Sequence, residues 1–300
     1  MSAIAATLEE RRSRLVALAA ALLTVTLWAS AFVGIRSAGR AFGPGELALA
    51  RLVVAAVALG AIGWSRGERL PTRAALRATG PWLLLVGLLW SGAYNLALNS
   101  AERRVDAGTA AMLVNIGPVL IAILAGLFLR EGFPRSLFTG CAVAFAGVAV
   151  IAVATANRSA TTAGVILCLT AAVAYAIAVV AQKVVLRHLT GTQTIFLCCV
   201  IGVATCLPWA GGLASELGRA PGGSIGWLVY LGLGPTALGF SAWAFALRRT
   251  DAGRLGSLTY LAPPISVLLG WAMLGETPAS LAYLGGALCL GGVAWARRPS

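Results

Sequence analysis

Residues Arg249–Pro264 read RTDAGRLGSLTYLAPP, and residues Arg104–Val119 read RVDAGTAAMLVNIGPV. Offset by 145 positions, the two share Arg, Asp-Ala-Gly, a Leu and a Pro. Extended to Glu131 and Glu276, the alignment runs without a gap and nine of 28 positions are identical. The identities include Asp106/Asp251, Gly108/Gly253, Pro118/Pro263 and Glu131/Glu276, and the register continues through Gly140/Gly285 and Gly147/Gly292. At an offset of 147, Trp28 falls on Tyr175 and Arg36 on Lys183. The pattern is that of a duplicated unit.

What the unit is follows from composition. Of the 300 residues, 59% are hydrophobic and 11% charged, against about 45–50% and about 25% in soluble domains. The apolar residues fall in runs of roughly 20, the length at which a helix crosses the hydrocarbon core. Ten spans are expected, at about 15–35, 44–64, 79–101, 107–129, 135–155, 162–185, 192–213, 225–247, 252–274 and 279–297. The segment EERRSR before the first run imitates a signal peptide, but that run is long, lacks a clear cleavage site and precedes many more spans.

The net charge of +13 would suggest nucleic acid for a soluble protein. Here the basic residues sit between spans and speak of orientation. With the N-terminus inside, cytoplasmic segments hold 16 Lys and Arg against 6 outside, so the positive-inside rule places both termini in the cytoplasm. Each copy of the unit holds five spans. An odd number makes the second copy enter from the opposite side. The expected fold is an all-α integral membrane protein of ten transmembrane helices, built as two inverted-topology five-helix repeats. That construction is common in secondary transporters.

The paired DAG…P…E blocks, with LLTVTLWASAFVGIR (22–36), ELALARLVVAAVAL (46–59) and YLAPPISVLLGWAMLGE (260–276), resemble EamA-like members of the drug/metabolite transporter superfamily. The resemblance runs from about Leu15 to Trp295. It implies a ten-helix carrier of the bacterial inner membrane that exports amino acids, related metabolites or toxic small molecules. The expected division is a cytoplasmic tail at 1–14, a first EamA-like repeat at 15–155, a periplasmic linker at 156–161, a second repeat at 162–297 and a cytoplasmic tail at 298–300.

Candidate site residues come from helix breaks and from polar or aromatic residues at membrane depth. A proline removes a backbone donor and clashes with the carbonyl four residues back. Pro118 would free the carbonyl of Val114, and Pro263-Pro264 those of Thr259 and Tyr260. In lipid such a carbonyl needs neighbouring protein or a wet cavity, and matched breaks in two halves point to a transporter's binding site. Asn115 and Tyr260 stand three positions before Pro118 and Pro263. These groups are expected to accept hydrogen bonds from a substrate, or else the kinks only shape packing. Ser91, Asn95 and Asn99 are spaced four apart on one helix face and are expected to line the cavity. Trp28, Trp90, Tyr175 and Trp243 lie near mid-depth, where they wall an apolar pocket or pack a core; Gln182 shares a face with Tyr175. Arg51, within the second span, either reaches an interface or lines the cavity and attracts a carboxylate. Glu131 and Glu276 are expected to serve structure, at the amides that open the following helix. Gly140, Gly147, Gly285 and Gly292 permit close helix packing, within the chain or across a dimer.

Several chemistries are not indicated. No acidic residue lies near the middle of a span, which argues against a carboxylate proton relay. There is no G-x-x-x-x-G-K loop. The six cysteines are dispersed in apolar runs and the lone His188 is at a helix end, so neither a metal, a disulfide framework nor a catalytic triad is expected. The expected reading is a non-enzymatic exporter of small organic metabolites by alternating access, without cofactor, whose partners are its substrate and the bilayer. A membrane-embedded enzyme would need clustered acids, His or Cys at one face; a sensor or scaffold would more naturally carry a soluble domain.

Overall fold

The computed structural model describes residues 3–104, 113–155, 161–274, 280–296 and 298. Asp106, Gly108, Glu276 and most of the 156–161 linker lie outside the described residues. Within them every regular element is helical, as long apolar runs favour: in a bilayer a helix satisfies its backbone polar groups within one segment, without a partner.

The helices are α1 (Ala3–Ala38), α2 (Pro44–Ser65), α3 (Arg73–Ala101), α4 (Gly117–Phe128), α5 (Arg135–Thr155), α6 (Thr162–Val185), α7 (Gly191–Leu217), α8 (Gly222–Leu247), α9 (252–274) and α10 (Ser280–Ala296). Six stretches are long and apolar enough to cross a membrane: residues 12–38 of α1, α2, α3, α6, α7 and α8. Shorter apolar helices cover 117–128, 135–151 and 283–296. The exterior is apolar, with Val57, Trp64, Phe128 and Val153 each more than 60% exposed. The interior is rich in small residues such as Ala21, Ala29, Ala48 and Ala55. That inversion of the soluble pattern suits a lipid-facing surface over closely packed helices.

Local chemistry sets the helix starts. Pro44 stands in the first turn of α2, where its missing N–H costs nothing. The Thr72 and Thr161 hydroxyls accept from the backbone N–H of Ala75 and Gly164. Thr190 and Gln193 form a capping box at α7.

Several helices are broken at depth. α3 passes through a π-helical segment, Gly87–Tyr94, and α8 through another, Gly232–Leu238. Both begin at a glycine, and Gly87 and Gly232 are 145 positions apart, the offset of the sequence duplication. A π turn leaves carbonyls without their usual donors. Asn95 repairs α3 by donating from Nδ2 to the carbonyls of Trp90 and Ser91, at 2.9 and 3.1 Å. Thr236 repairs α8 by donating from Oγ1 to the carbonyl of Leu231 at 2.7 Å. The prolines behave differently from expectation. Pro118 lies in the first turn of α4, after a turn at Asn115–Ile116, and does not kink a continuous helix. Pro263 follows a 3₁₀ segment, Leu258–Leu261, and opens the α-helical part of α9.

The glycine pairs are used within the chain. A Cβ at Gly140 would sit 2.6 Å from the carbonyl of Gly292, and one at Gly147 2.6 Å from that of Gly285. Backbone thus meets backbone between α5 and α10.

One end of the bundle is tied across elements. Glu131, just beyond α4, accepts from the N–H groups of Ala252 and Gly253 at the start of α9, at 2.9 and 3.2 Å. Lys183 near the end of α6 pairs with Glu131 at 2.9 Å and donates to the carbonyl of Thr250. Glu131 was expected to serve the helix following it; it serves a helix start in the other half instead. The opposite end of α6 meets α3, where Thr161 N–H donates to the carbonyl of Arg104. A helix of 24 residues separates the two ends by about 35 Å.

Candidate functional site

Between these ends α1, α2, α3, α4, α6, α8 and α9 surround a cavity. Its wall is aromatic. Trp28 and Trp90 have ring centroids 5.9 Å apart, Trp90 and Phe240 4.8 Å, and Trp90 and Tyr175 5.4 Å. Trp28 is held by a bond from Nε1 to the carbonyl of Pro235 at 3.2 Å, so the π segment of α8 orients the indole.

A cation stands in this apolar wall. Arg51 is only 5% exposed. It reaches into the cavity, not to an interface, and its Nε donates to Thr236 Oγ1 at 3.0 Å. Among the described residues no carboxylate lies within ion-pair distance of it. Burying a charge is costly unless it is paired, so a guanidinium here is a standing invitation to an anion. Asn95, Asn115 and Thr259 add polar groups. Thr259 lies beside the Tyr175 hydroxyl, whose oxygen has no hydrogen bond of good geometry.

Of the residues expected from sequence, Trp28, Arg51, Trp90, Asn95, Asn115, Pro118, Tyr175 and Thr259 line this one cavity. Six do not. Ser91 packs against Gly202 of α7, because the π segment changes the angular spacing between Ser91 and Asn95. Asn99 lines a second cavity nearer the α1–α2 turn. Trp243 lies behind the wall, 5.0 Å from Trp28 between ring centroids. Tyr260 is fully buried and points its hydroxyl into packed protein without a partner; the 3₁₀ turn brings Thr259 to the cavity in its place. Pro263 yields the cavity surface to its neighbour Ala262. Gln182 is fully buried with both amide atoms unpartnered. Sequence reasoning missed Phe32, Tyr94 and Phe240, which also line the cavity; Phe240 was findable as the duplicate of Asn95 at the 145 offset.

Among the described residues no three or more His, Cys, Asp or Glu gather in a way that could hold a metal, and all six cysteines are buried and free.

The model of the EamA-like transporter family matches the chain twice, over residues 15–153 and 162–298. The chain belongs to that family. It is a multi-pass membrane protein and a transporter of the drug/metabolite type. The EamA-like chain is 37% identical over 274 residues to a Streptantibioticus cattleyicolor protein named probable terminal-alkyne amino-acid exporter, covering 91% of each. It is 31% identical over 271 residues to the Bacillus subtilis uncharacterized transporter YdfC, covering 90% of this chain and 87% of that one. It is 25% identical over 288 residues to the Escherichia coli uncharacterized inner membrane transporter YhbE, covering 91% and 88%. A solved crystal structure superposes with a TM-score of 0.74 at 23% identity, over 96% of both chains, and so shares the fold.

Proposed function

We propose that this EamA-like transporter exports small amino acids or closely related metabolites by alternating access through the central cavity. Ten helices form the bundle as two inverted five-helix repeats, residues 15–155 and 162–297, with both termini in the cytoplasm. The buried guanidinium of Arg51 in an aromatic wall carries the reading. A carboxylate satisfies it, and Arg presents a planar fork matched to that group. The rings of Trp28, Trp90, Tyr175 and Phe240 accept an apolar side chain, or an ammonium over a ring face. The relative named as a terminal-alkyne amino-acid exporter fits such a substrate: a zwitterion with a short, rigid, apolar tail.

Glu131 and Lys183 form the cytoplasmic latch, closed in this state. The unpartnered buried groups of Gln182, Tyr260 and Trp243 belong to the half of the path that is shut. When that half opens, water and substrate supply their partners.

Reconstituted protein tests this. Liposomes loaded with an unlabelled amino acid should accumulate the labelled one by counterflow. Arg51→Gln should reduce that uptake at least tenfold, about what loss of a charge-assisted hydrogen bond costs, and Arg51→Lys should retain part of it. Absence of counterflow across a panel of amino acids and their alkynyl analogues would reject the reading.

A further inference from the structure

We propose that the cavity beneath the α1–α2 turn is a second substrate subsite, in which Asn99 and Glu102 receive the ammonium group of an amino acid. The inference rests on the exporter reading and extends it to a residue, Glu102, that the central cavity does not include.

The second cavity has a volume of about 200 Å³. Arg36 and Arg40 of the α1 end face Asn99, Glu102 and Arg103 of the α3 end across it. It adjoins the central cavity, since Ile35 lines both. Successive residues at the end of α3 line the two in turn: Asn95 and Leu98 the first cavity, Asn99 and the following Glu102 the second.

Two acceptors here lack donors. Asn99 is 4% exposed, and its Nδ2 is spent on the carbonyl of Pro44 at 3.0 Å. Its Oδ1 is buried without a partner. Glu102 Oε1 is likewise buried without a partner. A buried acceptor left unsatisfied costs its full desolvation. The residues are three apart on one helix face, so a single ligand group can meet both. That group must bring several N–H donors and no acceptors, which describes a primary ammonium.

The surroundings favour a zwitterion over a bare cation. Arg36, Arg40 and Arg103 would repel a metal ion that brought no anion. An amino acid brings its own carboxylate. Arg103 donates to the carbonyls of Gly39 and Phe42, which leaves Arg36 and Arg40 to take that carboxylate as a charge-assisted pair.

Binding should depend on pH. Burial pushes the Glu102 carboxyl up to about 8, against the opposing pull of Arg36 on α1 and Arg51 on α2. Tyr94 of α3, Arg103 just beyond α3, Arg40 just beyond α1 and Cys168 of α6 also face it. Burial favours the protonated carboxyl and an ammonium favours the carboxylate, so binding is linked to release of that proton. Affinity for the amino acid therefore rises as pH climbs towards 8.

Equilibrium binding to purified full-length protein in detergent tests the proposal, with L-propargylglycine and its deaminated analogue 4-pentynoic acid as probes. The wild-type protein should bind the amino acid in both cavities, the second step strengthening with pH. Glu102→Gln and Asn99→Ala should each weaken the second step about tenfold, the cost of a lost charge-assisted bond. Asn99→Ala, which removes no charge near Arg51, should leave the first step and the weaker binding of 4-pentynoic acid unchanged; the pair guards against one variant failing to fold. An unaltered second step in either folded variant overturns the subsite and leaves the exporter reading standing. Loss of the pH response with affinity unchanged makes Glu102 a proton site alone, and also overturns it. If neither probe binds wild-type protein, the exporter reading for this class fails and the subsite falls with it.

Discussion

Arg51 and Glu102 set the chemistry at the scale of single residues, and their environments differ. Arg51 is fixed by Thr236 among rings, so its charge is oriented before any ligand arrives. Glu102 is held by burial, which raises its carboxyl from the ordinary 4.5 to about 8 while Arg36 and Arg51 oppose. The folded chain thus binds this proton more tightly than the unfolded chain. Its contribution to stability is full below pH 4.5 and is lost as pH rises through about 8. Thermal unfolding in detergent should show Tm falling over that window, and Glu102→Gln should remove that share of the fall. Much of the lining of the central cavity was legible residue by residue. Arg51, Trp28 and Trp90 stand out because charge and large rings are conspicuous in an apolar span. Glu102 was not legible: one residue beyond the third span it reads as a loop charge, and only the packing of α1 and α6 around it shows that its Oε1 is buried.

Elements bring these residues together through their irregularities. The π segments of α3 and α8 start at Gly87 and Gly232, and their carbonyls are taken by Asn95, Thr236 and Trp28. Ten apolar runs could be read from composition, but a π turn adds a residue without altering hydropathy. That is why Ser91, placed on the cavity face by regular spacing, turned towards α7. The prolines were legible as breaks, though not their geometry: Pro118 and Pro263 open helical segments. Contact between α5 and α10 depends on missing side chains. Gly147→Leu drives a Cβ into the carbonyl of Gly285 and should cost about 1–3 kcal/mol or more, read as a lower Tm. Gly63→Ala, with nothing within 4 Å of the added carbon, should leave Tm within error. The latch gives another test. Lys183→Gln removes the cation from Glu131 and should raise thiol labelling of an introduced Gln182→Cys from the cytoplasmic side. Unchanged labelling would remove the latch from the account.

At the scale of the whole molecule, the proposed function draws its motion from the duplication. With the two copies opposed in the membrane, as proposed, an exchange of their conformations would close the passage at one end and open it at the other. The Glu131–Lys183 pair, the proposed latch, is made at one end of the bundle, and the second cavity lies at the other. The all-helical membrane bundle was legible because apolar runs are written along the whole chain, whereas the state of the passage is a property of packing. Alternating access to the central cavity is the central claim, and an introduced cysteine at Thr259 tests it most directly. In proteoliposomes of known orientation, an impermeant thiol reagent should label Thr259→Cys from either face, above the baseline of the six buried native cysteines, and bound amino acid should protect it. Labelling from one face only, under every substrate and pH condition, would contradict it.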